Sequence, residues 1–116
     1  CLINAKGVAR DEARAVLFFK SSAESGLSMA QVKLGACYEQ GIGVPKNSED
    51  AVKWYRLSAQ QNNSAAQYSL GVCLYEGIGC SRDVNQAIRL LQSARDLGVD
   101  QAKVALMRIQ ELEDGQ

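Results

Sequence analysis

Residues 28–38, SMAQVKLGACY, are repeated at residues 64–74 as SAAQYSLGVCL. Ser, Ala, Gln, Leu, Gly and Cys occupy the same places in both stretches, at an offset of about 36 residues. The same offset relates the Gly-Ile-Gly sequence at 41–43 to the one at 77–79. A register that never slips over this length indicates a tandem repeat rather than chance similarity.

The unit at residues 27–62 is predicted to form two helices. The first covers about 29–40, with Ser28 as its N-cap, because a Ser side chain there accepts a hydrogen bond from an otherwise unpaired backbone N–H. Its apolar side chains recur at helical spacing. Gly41 is expected to end it, since glycine adopts the left-handed conformation easily. The second helix covers about 48–61.

The same pattern extends to both sides of this unit. The remaining helices are predicted at residues 1–4 (the end of a first helix), 11–25, 64–76, 84–97 and 100–113. Ser64 and Asp83 are the expected N-caps of the following unit. Gly35 and Gly71 are small enough to let a neighbouring helix come close. The last helix has Met107 at that place and ends in polar residues, which is typical of a terminal repeat.

Composition excludes several classes of function. The chain has 13 basic and 13 acidic residues, so no net charge attracts nucleic acid or an anionic membrane. No apolar run approaches the roughly 18 residues that a membrane span needs. The absence of His removes the commonest general base and metal ligand. We therefore expect no enzyme activity, no metal, no cofactor, no nucleic-acid partner and no membrane insertion.

The Gly-Ile-Gly sequences at 41–43 and 77–79 invite comparison with a phosphate-binding loop. Such a loop follows a strand and delivers the phosphate to a helix N-terminus. Here a helix precedes each sequence, and no Gly-Lys-Ser/Thr follows. The glycines are therefore interpreted as turn residues of helical hairpins.

The four cysteines could suggest a metal site or disulfides. Cys1, Cys37 and Cys73 share one repeat position, and equivalent residues on stacked helices lie roughly 9–10 Å apart. A disulfide needs Cα atoms within about 7 Å. Cys80 adds a second thiol to one unit only, and no Cys-x-x-Cys is present. Buried free thiols are the favoured interpretation, which weakly favours a reducing compartment.

Acidic and aromatic residues have structural explanations as well as functional ones. Two carboxylates could act as an acid and a base, but nothing in the pattern places a pair in an apolar pocket. They are expected on solvated helix faces: Glu39, Glu49, Asp50 and Glu76. The pairs Phe18-Phe19 and Trp54-Tyr55 could form a ligand platform, but their repeat positions favour packing in the core.

The repeated residues resemble the Sel1-like repeat family, a relative of tetratricopeptide repeats. The pattern of that family combines Ala-Gln, Leu-Gly-x-x-Tyr, Gly-x-Gly-Val, an acidic position, an alanine with an aromatic pair, and a further alanine. The unit at 27–62 matches at Ala30-Gln31, Leu34-Gly35, Tyr38, Gly41, Gly43-Val44, Ala51, Trp54-Tyr55 and Ala59. The next unit departs from the pattern at Leu74, Cys80 and Arg95. Nearly the whole chain is covered.

The resemblance implies an all-α fold, an α/α right-handed superhelical solenoid of helix-turn-helix repeats. Four parts are expected: residues 1–26, the end of a partial Sel1-like repeat; residues 27–62 and 63–98, two complete repeats; and residues 99–116, a C-terminal capping helix. Because the repeat phase places Cys1 in the middle of a helix, the sequence is expected to be part of a longer array.

Residues that neither repeat nor serve the core are the candidates for binding. In tetratricopeptide-like stacks the first helix of each pair lines the concave groove, so the resemblance places one set of side chains there. The candidates are Lys33, Glu39, Gln40, Tyr68, Ser69, Val72, Tyr75, Glu76 and Arg108, with Ala36 beside them. Tyr and Arg are common interface anchors, and the repeat does not demand Tyr68 or Tyr75, because Val32 and Glu39 occupy the equivalent places.

The favoured function is that of a non-catalytic scaffold or adaptor that binds a protein or peptide partner in this groove. The alternative is a structural or regulatory segment of a larger multidomain protein, including self-association through exposed repeat ends. A small enzyme is a third class, which the lack of any nucleophile–base pair disfavours.

Overall fold

The structure, a computed structural model, describes the backbone of residues 2–114 and the side chains of residues 12–112. Helices form most of the described backbone, which contains no strand. They are α1 (Leu2–Glu24), α2 (Ser28–Gln40), α3 (Ser48–Ala59), α4 (Ser64–Glu76), α5 (Val84–Asp96) and α6 (Asp100–Asp114). Each helix packs against the next one in chain order, and α4 also contacts α6. The result is the all-α repeat solenoid that the sequence predicts.

The turn inside each repeat is built as expected at its glycines. Gly41 and Gly77 end α2 and α4 with φ of 72° and 70°, and the N–H of each donates to the carbonyl of the cysteine four residues earlier. The second glycine of each turn connects two repeats. A Cβ on Gly79 would collide with the backbone carbonyl of Ser48, at the start of the preceding repeat's second helix. A Cβ on Gly43 would likewise lie only 2.6 Å from the carbonyl oxygen of Glu12.

Gly35 and Gly71 allow the close helix approach that was predicted for them. A Cβ on Gly35 would lie 2.7 Å from Cε1 of Tyr55, and one on Gly71 would lie 2.9 Å from Cγ of Leu91. Both contacts join the first and second helices of one repeat. The small residue therefore sets how closely the hairpin closes.

The predicted N-caps are correct at one position and wrong at two. Asp83 caps α5, because its side chain accepts a hydrogen bond from the N–H of Gln86 at 3.0 Å. Ser64 is the first residue of α4, and the cap is Asn63, whose side chain accepts from the N–H of Ala66. Ser28 likewise lies inside α2, after Leu27. The Ser28 hydroxyl instead accepts a hydrogen bond from Nδ2 of Asn63 at 3.3 Å.

The first helix differs from its prediction. We expected a turn between helices at residues 1–4 and 11–25, but α1 runs without a break from Leu2 to Glu24. Ala5 stands at the position of Gly41 and Gly77, so the left-handed turn residue of the other repeats is missing, and Ala9 stands at the position of Pro45. Alanine favours continuation of the helix. Residue Cys1 lies outside the described residues.

The core of the described residues consists of three clusters, one at each junction between successive repeats: α1 with α2, α3 with α4, and α5 with α6. Tyr55 is fully buried, and Trp54 packs against a cluster that includes Val16 of α1. The aromatic pairs were expected to pack in the core, but Phe18 is 68% exposed. Its equivalent Trp54 is covered by the preceding repeat, and the described part of the chain provides no repeat before α1.

No helix in the described part of the chain combines the length and the apolar character needed to cross a membrane.

Candidate functional site

A cavity of about 540 Å³ lies between α4 and α6. We call it the α4–α6 cavity. From α4 it is lined by Tyr68, Val72, Tyr75 and Glu76. From α6 it is lined by Asp100, Gln101, Val104, Ala105, Arg108, Ile109 and Leu112, and Leu91 of α5 closes its floor.

The repeat explains why these side chains meet. α4 and α6 are the first helices of successive repeats, so residues separated by the repeat offset lie side by side. Val104 is the repeat equivalent of Tyr68, Arg108 of Val72, and Leu112 of Glu76. On each helix the lining residues recur every three or four positions and form a row along one face.

The middle of the cavity is apolar, and its polar groups lie toward the rim. Leu91 and Ile109 are buried at the base, whereas Val104 is 50% exposed and Leu112 is 58% exposed. Asp100, at the start of α6, and Glu76, at the end of α4, are exposed at opposite ends of the cavity. Exposed apolar side chains grouped around a concavity are typical of a surface that binds a partner.

Five of the predicted binding residues line this cavity. They are Tyr68, Val72, Tyr75, Glu76 and Arg108. Tyr68, Val72 and Tyr75 are half-buried, and Arg108 is exposed. Arg108 forms no hydrogen bond or ion pair with the described residues. The first helices therefore bring together the side chains that the repeat pattern did not require.

The other four predicted residues lie elsewhere. Lys33 is exposed, with its Nζ 5.9 Å from the ring centroid of Phe19. Gln40 is exposed at the end of α2. Ser69 and Glu39 both face the hydroxyl of Tyr55. None of the four contributes to the α4–α6 cavity.

Glu39 has a structural partner that the sequence did not indicate. The hydroxyl of buried Tyr55 donates a hydrogen bond to Oε1 of Glu39 at 2.6 Å, and Glu39 is half-buried rather than on a solvated face as predicted. Burial, followed by the hydrogen bond to Glu39, raises the pKa of Tyr55, and Ser69 offsets part of this effect. The Glu39 carboxylate thus joins α2 to α3 inside one repeat.

Sequence reasoning missed most of the cavity wall on α6. Only Arg108 was named there, because α6 was interpreted as a terminal cap. Projecting Tyr68 and Ser69 forward by one repeat would have indicated Val104 and Ala105. No feature of the repeat pattern indicated Asp100 and Gln101. They line the cavity because α6 begins at Asp100.

The cysteines in the described chain are free thiols, with Cys37 and Cys73 buried and Cys80 half-buried. Burial is the main cause that raises the pKa of Cys73 to about 12, and it also raises the pKa values of Cys37 and Cys80. Thiols with raised pKa values are poor nucleophiles and poor metal ligands at neutral pH. Within the described residues, no group of three or more Cys, Asp or Glu side chains is arranged to hold a metal ion.

Successive helical hairpins that share a core at each junction define an α-helical repeat protein, a class that presents long surfaces to its partners. The sequence profile of the Sel1 repeat matches residues 1–27, 28–63 and 64–99. The chain therefore belongs to the Sel1 repeat family. Members of this family generally act as protein-interaction scaffolds, and the fold is typically non-enzymatic.

Solved structures of Sel1-repeat proteins are similar to this chain. One is c5321, described as a protective antigen with an SLR fold from uropathogenic Escherichia coli strains, with 37% identity and a TM-score of 0.76 over 78% of this chain. A Sel1 repeat protein from Oxalobacter formigenes has 35% identity and a TM-score of 0.78 over 81%. Cysteine-rich protein B of Helicobacter pylori has 25% identity and a TM-score of 0.73 over 78%.

The chain spans only part of these proteins: 19% of the Escherichia coli chain, 39% of the Oxalobacter chain and 68% of the Helicobacter chain. Among proteins with curated functions, none matches the sequence.

Proposed function

We propose that this segment is a non-catalytic protein-interaction module, and that the α4–α6 cavity receives a protein or peptide partner. The observation that carries the proposal is the cavity itself. Tyr68, Val72 and Val104 present apolar surface there, and the repeat pattern does not specify these side chains. The rigid helices on both sides hold this surface in place without a partner, so little ordering is needed on binding.

The chemistry of the cavity favours binding over catalysis. Its ionisable side chains are Tyr68, Tyr75, Glu76, Asp100 and Arg108. The two carboxylates stand at opposite ends, so they cannot act together on one substrate atom. Tyr and Arg beside an apolar floor are instead the composition of a protein-binding hot spot.

A matched pair of variants on α6 tests this proposal. Val104 and Met107 are 50% and 56% exposed on the same helix, but only Val104 lines the cavity. Peptides are selected from a random display library on the purified chain, and their dissociation constants are measured by fluorescence anisotropy. We expect Val104→Arg to weaken binding by about tenfold or more, while Met107→Arg leaves it unchanged.

Circular dichroism must show that both variants keep the helical content of the parent chain. Selection that yields no binding peptide, or equal losses in the two variants, would overturn the proposal.

Self-association through a further hairpin packed on α6 meets a steric obstacle. In the described repeats, the helix that pairs with α2 or α4 packs directly over Gly35 or Gly71. Met107 occupies the equivalent position on α6 and is exposed. A second copy could not approach that face as closely as α3 approaches α2, so we favour the cavity over this alternative.

A further inference from the structure

We infer that the occupant of the α4–α6 cavity is an amphipathic α-helix of about three turns, with an apolar stripe flanked by a basic residue at each end. This inference rests on the proposed function and narrows it to one kind of partner. It follows from the hydrogen-bonding capacity, the length and the charges of the cavity.

An extended peptide does not suit this surface. Its backbone N–H and C=O groups would need partners once they are buried. Val72, Val104 and Ala105 have no polar side-chain atoms, and the polar side chains of the wall are scattered rather than arranged as a continuous row of partners for a strand. The described chain also contains no sheet edge to which a strand could add. A helix satisfies its own backbone hydrogen bonds and requires only apolar contact from the wall.

The walls also have the form that receives a helix. The lining residues of α4 and α6 make two rows of side chains spaced three or four positions apart, with Leu91 between the rows. Ridges of this spacing pack against the i, i+3, i+4 and i+7 positions of a third helix. The half-buried tyrosines Tyr68 and Tyr75 supply large contact area with few rotatable bonds.

The charges at the two ends define the flanks of the ligand. Asp100 and Glu76 lie one helix length apart, about 18 Å at the rise of an α-helix. Neither carboxylate forms a hydrogen bond or an ion pair with the described residues. Basic residues about three turns apart on one face of the ligand helix would meet both carboxylates.

Two arginines near the cavity contribute differently to its charge distribution. Arg108 lines the wall between the two ends, and its side chain is available to an acidic group beside the centre of the ligand stripe. Arg82 does not line the cavity. Its guanidinium lies 5.0 Å from the ring centroid of Tyr75, and its Nε donates to the Tyr75 carbonyl at 2.7 Å. Arg82 therefore supports the wall from behind.

Three synthetic peptides of about 15 residues test the inference on the purified 116-residue chain. The first has leucines at i, i+3 and i+7, helix-favouring residues elsewhere, and lysines at i−3 and i+8, which lie about three turns apart on one side of the helix. The second has glutamates in place of these lysines. The third keeps the lysines but has a proline at its centre, which breaks the helix.

We expect the lysine peptide to bind about fivefold more tightly than the glutamate peptide and at least about tenfold more tightly than the proline peptide, by fluorescence anisotropy at low salt. In the variant Glu76→Lys with Asp100→Lys, the glutamate peptide should become the tighter ligand. Both substituted residues are exposed, so the fold should tolerate the change.

Equal affinity of the lysine and glutamate peptides, or undiminished binding of the proline peptide, would overturn the inference. If none of the three binds while library-selected peptides bind in a Val104-dependent manner, the inference is wrong and the proposed function stands. If the library also yields no ligand, the proposed function itself fails.

Discussion

The two complete repeats have the same backbone hairpin but are held together by different contacts. In the repeat of α2 and α3, the Tyr55 hydroxyl donates to Glu39 at 2.6 Å, and the Ser58 hydroxyl donates to the Ser28 carbonyl at 2.8 Å. One repeat later, in α5, Leu91 and Ala94 stand where Tyr55 and Ser58 stand in α3, and both are fully buried. The same fold is thus stabilised by polar contacts in one hairpin and apolar packing in the next.

Replacing polar contacts by apolar ones leaves one buried polar atom without a hydrogen-bond partner. In the first hairpin Gln61 donates from Nε2 to Oε1 of buried Gln31 at 3.0 Å. The equivalent glutamine of the second hairpin, Gln67, is 4% exposed, and its Oε1 has no hydrogen-bond partner. Leu97 replaces Gln61 there, so the donor has been lost while the acceptor has been retained.

The exchange also releases a position for binding. Glu39 is needed by the Tyr55 hydroxyl, whereas its equivalent Tyr75 stands opposite Leu91, which has no hydroxyl to satisfy. Tyr75 can therefore face the α4–α6 cavity. The comparison teaches that a repeat stabilised by apolar packing leaves more of its first helix free to contact a partner.

The most direct test of this comparison replaces the polar contacts of the first hairpin with the apolar contacts of the second. We expect Tyr55→Leu to lower the free energy of unfolding by about 3 kcal/mol, because it leaves a gap in the core and a half-buried carboxylate without its donor. Adding Glu39→Tyr recreates the Leu91–Tyr75 pair and should recover about 1 kcal/mol. Urea denaturation followed by circular dichroism measures both values.

Glu39→Tyr alone completes the mutant cycle and should itself be destabilising, since it removes the acceptor of the Tyr55 hydroxyl. If the double variant is no more stable than Tyr55→Leu, the two hairpins are not interchangeable solutions, and the comparison fails.

A smaller effect distinguishes the two glycines at the hairpin contacts. We expect Gly35→Ala to destabilise by about 2 kcal/mol, because the new Cβ meets the ring of Tyr55, which is buried and held by its hydroxyl. Gly71→Ala should cost less than about 1 kcal/mol, since the Leu91 side chain can change rotamer and alanine favours the helix. Urea midpoints of the two variants, compared at equal slope, provide the measurement. A larger loss at Gly71 would contradict this account.

Much of the fold could be predicted from the sequence because its determinants are local and recur. Glycines at the turns and the cap at Asp83 act through the backbone of their own segment, and the small residues at the helix contacts recur at the repeat offset. The continuous helix α1 was not predicted, because the repeat phase suggested a turn that Ala5 and Ala9 do not support.

The candidate site could be predicted only in part, because it depends on contacts between distant residues. The repeat indicated Tyr68 and Tyr75 as side chains that its pattern does not specify. The sequence did not show that Glu39 bonds to Tyr55, since the two are joined only when the hairpin closes. The wall formed by Val104 and its neighbours depends on how α6 docks, which no local pattern specifies.

The smallest expected effect concerns the unpartnered amide of Gln67. Residues 61 and 97 occupy matching turns, since Asn62 and Gly98, which follow them, both have positive φ. Leu97 is 54% exposed, so its replacement loses little buried apolar surface. We therefore expect Leu97→Gln to supply the missing donor and to stabilise the chain by about 1 kcal/mol, measured as a rise in the urea midpoint.

The reciprocal change provides the matched control. Gln61→Leu should destabilise by about 1 kcal/mol or more, because it leaves Oε1 of Gln31 buried without a donor. If Leu97→Gln leaves stability unchanged while Gln61→Leu lowers it, the Gln67 amide is satisfied by solvent, and the difference between the hairpins lies in the Tyr55 and Ser58 contacts alone.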